Sequence, residues 1–197
     1  MSSYGYKTKE ALREHYKQNK PDHISYDEFT KIAEKSGTPN NKLEFVLSEL
    51  NILGMCLNYD GDGLDDLDTY VLNPDWIANG IYTIINMGRR EGDGRNKHLL
   101  TIRNGVEILK KAENYKYTQH NVKFLFRLMR KYELAYFKTD ECICVPLILP
   151  LDQPKDLPKF DSNQSLTMSF EVDHFLPPNI VSRLIVHRSD HNEIYDE

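Results

Sequence analysis

Apolar residues recur along this chain in short helical runs, broken by polar and acidic stretches. Thr8 to Gln18 reads as a helix-like segment that closes at Lys20-Pro21-Asp22. Ser25 is a good N-cap for a helix from Tyr26 to Ser36, with Glu28 three residues on for a capping box and Gly37 as the stop. Phe29, Ile32 and Ala33 make one apolar face there, and Leu43, Val46, Leu47, Leu50 and Leu53 follow at helical spacing up to Gly54. Met55 to Tyr59 and Thr69 to Leu72 read as two strands joined by the acidic loop Asp60 to Asp68. Asn73 then caps a helix with Pro74 in its first turn, which should carry Trp76, Ile77, Ile81, Ile84 and Ile85 into a core.

After a polar loop from Gly88 to Lys97 the same order returns. Val106, Leu109 and Ala112 lie on one helix, and Val122, Leu125, Phe126, Met129 and Tyr132 on another. A shift of 79 places Leu43 on Val122, Val46 on Leu125, Leu47 on Phe126, Leu50 on Met129, Leu53 on Tyr132 and Met55 on Leu134, and every pair is apolar. Phe29 and Ile32 meet Leu109 and Ala112 only after a shift of 80. Strands are then expected at Leu134 to Lys138 and Cys142 to Leu149. Helix, helix, hairpin is the winged-helix order, so the pattern predicts two tandem winged-helix-like units sharing one core. Leu151 to Ser165, with Pro154 and Pro158 among polar residues, reads as a linker. Beyond it Leu166, Met168, Phe170 and Val172 alternate as a strand, and Asn179 to His187 suits either a short helix or another strand.

Composition sets the class. The 197 residues hold one ordinary domain plus part of another, and a body of roughly 150 residues buries about 70% of its unfolded surface, enough for a core without an external scaffold. A net charge of −5 argues against nucleic acid as the main partner. Cys56, Cys142 and Cys144 form an odd set without metal-site companions, as expected of free thiols in a cytoplasmic protein. No apolar run reaches the roughly 18 residues of a membrane span, and Met1 to Lys20 is too polar for a signal peptide.

The candidate chemical motifs fail on their spacing. Asp60 to Asp68 resembles the opening of a calcium loop, but Leu64, Asp65 and Val71 stand where positions five, six and twelve need an oxygen ligand, Gly and Glu. A phosphate-binding Gly-x-x-x-x-Gly-Lys-[Ser/Thr] is absent, so GTP hydrolysis is not expected of this sequence. The seven histidines are scattered, with none at the His-x-x-x-His spacing of a helical zinc site. Neither a Gly-x-Ser-x-Gly elbow nor a base adjacent to Cys56 occurs. Catalytic, cofactor-binding and metal residues are therefore expected to be none.

Four blocks, in order and spacing, carry a resemblance. They are Val-Leu-Asn-Pro-Asp-Trp-Ile-Ala-Asn-Gly-Ile-Tyr (71–82), Leu-Met-Arg-Lys-Tyr-Glu-Leu (128–134), Pro-Leu-Ile-Leu-Pro (146–150) and Phe-Leu-Pro-Pro-Asn-Ile-Val-Ser-Arg-Leu-Ile-Val (175–186). From about Ile24 to about Val186 the chain resembles the COR domain of Roco proteins, which follows a Ras-like GTPase domain called Roc. The resemblance implies an α+β fold, mainly helical. Residues 1–22 would be a connector from Roc, free to move without its partner, and 23–150 the COR-A subdomain of two winged-helix-like units. Residues 151–165 would be a linker, and 166–197 the beginning of a β-containing COR-B that needs considerably more sequence.

It also implies a non-enzymatic module in which COR-A packs against Roc and COR-B makes most of the homodimer contact, coupling nucleotide state to dimerisation. Trp76, Arg130, Lys131, Tyr132, Phe175 and Arg183 are the motif residues expected at the core or partner interfaces. The partners implied are the Roc domain of the same protein and a second copy of the full-length protein, with no nucleic acid and no membrane. An adaptor without a GTPase neighbour is a further reading, as is a winged-helix DNA-binding transcription regulator. The latter would need a basic second helix. Glu44 and Glu49 against Lys42 disfavour it in the first unit, whereas Lys123, Arg127, Arg130 and Lys131 give the second a limited basic face, expected to be solvated or to dock an acidic partner.

Overall fold

The computed structural model describes residues 1–59, 64–91, 98–112, 115–149 and 179–189, together with residues 171 and 173. Ser2 starts the first helix by accepting a hydrogen bond from the Gly5 backbone N–H. That helix, α1 (Ser3–Asn19), begins five residues earlier than the pattern predicts. It lies against α2 (Tyr26–Lys35) and α3 (Leu43–Ile52) rather than standing apart. Leu12 enters the first core, and the buried Thr8 hydroxyl meets those of Thr38 at 2.9 Å and Ser36 at 3.1 Å. Gly5 lets the helix come close to α3, since a Cβ there would sit 2.4 Å from the Glu49 carboxylate.

Ser25 caps α2, taking the Glu28 N–H at 3.2 Å, but the expected capping box is not closed because the Glu28 carboxylate lies against His15 at 3.6 Å; Gly37 leaves the helix at φ +89°. Phe29, Ala33, Leu43, Val46, Leu47 and Leu50 close a first core with Ile24 and Cys56. Leu53, which the repeat pairs with Tyr132, is 51% exposed just past the end of α3. The expected hairpin of Met55 to Tyr59 with Thr69 to Leu72 shrinks to one bridge, Leu57 with Val71. The paired strands are instead β1 (His23–Ile24) and β2 (Tyr70–Val71), antiparallel with His23 opposite Val71.

Next comes α4 (Pro74–Glu91), which runs four residues into the stretch expected to be a polar loop. A second strand missed by the pattern, β3 (Leu99–Thr101), leads directly into α5 (Ile102–Leu109). Thr101 and Asn104 cap α5 reciprocally, and Thr118 and Asn121 do the same for α6 (Gln119–Lys131). Then β4 (Tyr136–Thr139) and β5 (Cys142–Cys144) form a hairpin, and β3 pairs with β5, giving the sheet order β3-β5-β4. A 3-10 turn at Pro146–Ile148 ends the run that was expected to continue as strand. Asn179 to His187 is settled as helix, α7 (Ile180–Ser189). The expected linker, the alternating strand from Leu166 to Val172 but for an isolated Glu171, and Phe175 lie outside the described residues.

The fold is thus mainly helical with two small antiparallel sheets, an α+β arrangement. The larger core gathers Trp76, Ile77 and Ile84 from α4 with Val122, Phe124, Leu125, Phe126, Leu128 and Met129 from α6. It also takes in Leu64, Leu67 and Val71, which belong by sequence to the first half of the chain. Small residues bring the helices together, since a Cβ on Gly80 would lie 2.6 Å from Leu125 and one on Gly105 2.6 Å from Val122. Among the described residues no helix is long and apolar enough to cross a membrane.

Candidate functional site

Trp76 stands one turn into α4, where the Asn73 side chain takes the Asp75 N–H and donates to Asp22 at 2.9 Å. Its ring is wholly buried, stacked on Tyr117 at 5.4 Å and on Phe124 at 6.1 Å, with His23 tilted against it at 4.9 Å. Tyr117 donates its hydroxyl to the Trp76 carbonyl at 2.7 Å, which fixes the loop before α6. The Trp76 indole N–H is buried without an acceptor among the described residues.

His23 belongs to β1, so this cluster is where the two halves of the chain meet. Its Nε2 lies 3.0 Å from the Asn121 side-chain nitrogen, and that Asn also caps α6. Nearby, His120 Nε2 lies 2.7 Å from the Leu67 carbonyl and 3.2 Å from the Thr69 hydroxyl. Burial lowers the His23 pKa, with His120 adding to the effect and Asp22 and Glu28 opposing it. The joint is consequently apolar on the Trp76 side and polar, with a neutral imidazole, on the other.

A second cluster forms where α6 ends. Tyr132 caps the helix, and Glu133 follows in the left-handed region at φ +57°, turning its carboxylate toward α7. Arg183 donates to Glu133 through Nε at 2.6 Å and through a second guanidinium nitrogen, while His187 Nε2 reaches the other carboxylate oxygen at 2.8 Å. The Arg183 hydrogen bonds, helped by the charges of Arg183 and His187, hold the Glu133 carboxyl below the usual carboxylate range. Residues 183 and 187 lie one turn apart on α7, so a single carboxylate grips that helix at two points. Val186 is the buried residue of α7, and Ile180, Val181 and Leu184 are exposed. Beside the clamp Tyr132, Leu134, Leu147, Asn179 and Ser182 line a cleft of about 240 Å³.

The structure therefore brings Tyr132 and Arg183 together around Glu133, which the sequence reading did not single out. Arg130 and Lys131 are half-buried in the last turn of α6, where the helix dipole favours cations. Trp76 lies in the joint between the halves, distant in sequence from that cleft, and Phe175 lies outside the described residues. Lys123 and Arg127, part of the basic face of α6, border a hollow whose other wall includes Asp140 and Glu141. Half of that charge is therefore already of the sign that repels phosphate.

Burial pushes the Cys56 thiol up to about 12 and raises Cys142 and Cys144 as well, opposite to what a thiolate nucleophile needs. Among the described residues no three metal-ligating side chains converge.

Comparison with known proteins gives matches of three kinds. The family model "C-terminal of Roc, COR-A domain" matches residues 4–149. A Roc-COR-CHAT protease of Runella zeae is 26% identical over 189 residues, which is 96% of this chain and 19% of that protein. The solved structure of Methanosarcina barkeri Roco2 RocCORdC bound to GDP superposes with a TM-score of 0.61 at 25% identity, covering 76% of this chain and 44% of that one. The chain thus spans about a fifth of the curated relative and under half of the solved one.

Proposed function

Because this chain belongs to the COR-A family of Roco proteins, we propose that it is the non-enzymatic relay between a Roc GTPase domain and the homodimer, adjusting the nucleotide cycle of its neighbour. The observation that carries the proposal is the family match across residues 4–149, supported by relatives whose names both contain Roc and COR. In this reading residues 1–22 are the connector from Roc, 23–150 are COR-A, 151–165 are the linker and 166–197 open COR-B. Two tandem winged-helix-like units make up COR-A. The repeated order supports this: β1, α2, α3, β2 in one half and β3, α5, α6, β4, β5 in the other, with the first strand pairing the last each time.

The physical basis of a relay is a continuous set of rigid contacts between its two ends. Here α1 packs on α2 and α3, the joint of Trp76, His23 and Asn121 ties that half to α6, and the end of α6 grips α7 through Glu133. Movement imposed on α1 by Roc would then be felt at α7, whose exposed Ile180, Val181 and Leu184 form a small apolar face suited to a second copy. A linkage of this kind requires that contacts differ between the GTP-bound and GDP-bound neighbour. The DNA-binding reading is not carried further, since carboxylates share the wall beside the cations Lys123 and Arg127.

The test uses a longer chain that includes the upstream GTPase domain, loaded with GDP or with a non-hydrolysable GTP analogue. Light scattering after size-exclusion chromatography should give dimer fractions that differ between the two nucleotides, and Glu133→Gln should reduce the difference. Equal dimer fractions in both nucleotide states would overturn the proposal.

A further inference from the structure

A hollow of about 300 Å³ opens between α1 and the edge formed by Met55 and Leu72. Its floor is apolar, made of Leu12, Met55 and Leu72, the first buried and the others packed against the first core. Its rim is Arg13, Tyr16 and Lys17, all from α1. Among the described residues the Arg13 guanidinium has one carboxylate in reach, Glu10 at 3.1 Å, in a pair half exposed to solvent. Lys17 has no carboxylate within ion-pair distance among the described residues. A cationic rim around an apolar floor is notable on a chain whose net charge is −5. The volume suits one or two large side chains, at the lower limit of ligand-binding hollows.

We propose that this groove receives a short acidic segment of a partner protein, which seats a leucine- or phenylalanine-sized side chain on Leu12, Met55 and Leu72 while its carboxylates lie against Arg13 and Lys17. The argument is charge complementarity at the rim together with desolvation of the floor. Two cations around a concavity are too few, and the surface the wrong shape, for a membrane contact, which needs apolar side chains that protrude and a larger basic cluster. The inference does not depend on the identity of the neighbouring domain, because it rests on the groove alone.

The test is a nuclear magnetic resonance titration of the ¹⁵N-labelled chain in about 20 mM salt, where charge screening is weak, with three hexapeptides: EDLFED, KRLFKR and EDSSED. EDLFED should move the amide signals of Arg13, Tyr16, Lys17, Met55 and Leu72, and the other two should bind about tenfold more weakly or not at all. The double change Arg13→Glu with Lys17→Glu should weaken EDLFED binding by about tenfold with the thermal midpoint unchanged, and Lys17→Gln should give a smaller loss with the same fold. Equal binding of KRLFKR or EDSSED, shifts confined to other surfaces, no shifts with EDLFED, or capture of the chain by anionic phosphatidylserine vesicles through this face would each overturn the proposal.

Discussion

Replacing Trp76 by Ala removes the ring that joins the two halves of the chain. A buried Trp to Ala change costs about 3–5 kcal/mol, rising with the cavity that remains. Collapse is difficult here because Tyr117, Phe124 and His23 close on the ring from three directions and Tyr117 is tethered by its own hydroxyl. Aromatic pairs add about 0.5–1.5 kcal/mol beyond area burial, so the upper half of the range is expected. Among the described residues no hydrogen bond is lost, since the indole N–H has no acceptor there and the Tyr117 bond goes to the backbone carbonyl. Trp76→Phe separates the two contributions. It keeps most of the stacking and removes a buried unpaired donor whose desolvation costs about 1–3 kcal/mol, so its loss should stay below about 2 kcal/mol. The assay is urea unfolding followed by far-ultraviolet circular dichroism, since Trp76 is the chain's one Trp and fluorescence would disappear with it. A cost below about 1 kcal/mol for Trp76→Ala, or equal costs for both variants, would refute the picture of a tightly filled joint.

His23 has its pKa lowered chiefly by burial, so the folded state favours the neutral ring. Stability should be full above its ordinary value and fall as pH drops below about 6.5; urea midpoints at pH 7.5 and 5.0 should differ, and His23→Gln should shrink the difference. Glu133→Gln should raise amide exchange across Ile180–Ser189 while protection in α6 persists, and unchanged exchange in α7 would remove the clamp from the account. Gly105→Ala, which helix propensity alone would favour by up to about 1 kcal/mol, should instead destabilise by about 1–3 kcal/mol, because the new methyl meets Val122 at 2.6 Å and Phe126 at 3.0 Å. Isothermal titration of this chain with GTP or GDP and magnesium should give no heat of binding, as it lacks the glycine-rich loop and Lys that hold a triphosphate.

The helices were legible where a side-chain cap met an apolar period. Ser25 and Asn73 announced α2 and α4, and the spacing of Leu43, Val46, Leu47 and Leu50 marked the buried stripe of α3. Thr101 with Asn104 and Thr118 with Asn121 offered the same signal for α5 and α6 and went unread, because the reciprocal partner is Asn rather than the more familiar Glu or Gln. Gly88, expected to open a polar loop, lies inside α4, and Gly5 lies inside α1, where it permits the close approach to α3. The strands β1 and β3 were illegible because two or three residues carry no period, and their partners, Tyr70–Val71 and Cys142–Cys144, lie more than forty positions away. Among the interface residues, Tyr132 and Arg183 were identified from motifs, but the carboxylate that unites the cluster stands fifty positions from Arg183 and has no local signature.

Leu64, Leu67 and Val71 follow α1, α2 and α3 in sequence but are buried in the core of the second half. A gene cut between Leu64 and Val71 would therefore divide a core rather than a linker. Each product would carry either an unfilled hole or a greasy tail, so neither should survive as a soluble piece, and grafts from relatives should succeed only when both halves are exchanged together. Evolution faces the same restriction as the engineer. The two halves are therefore expected to vary together.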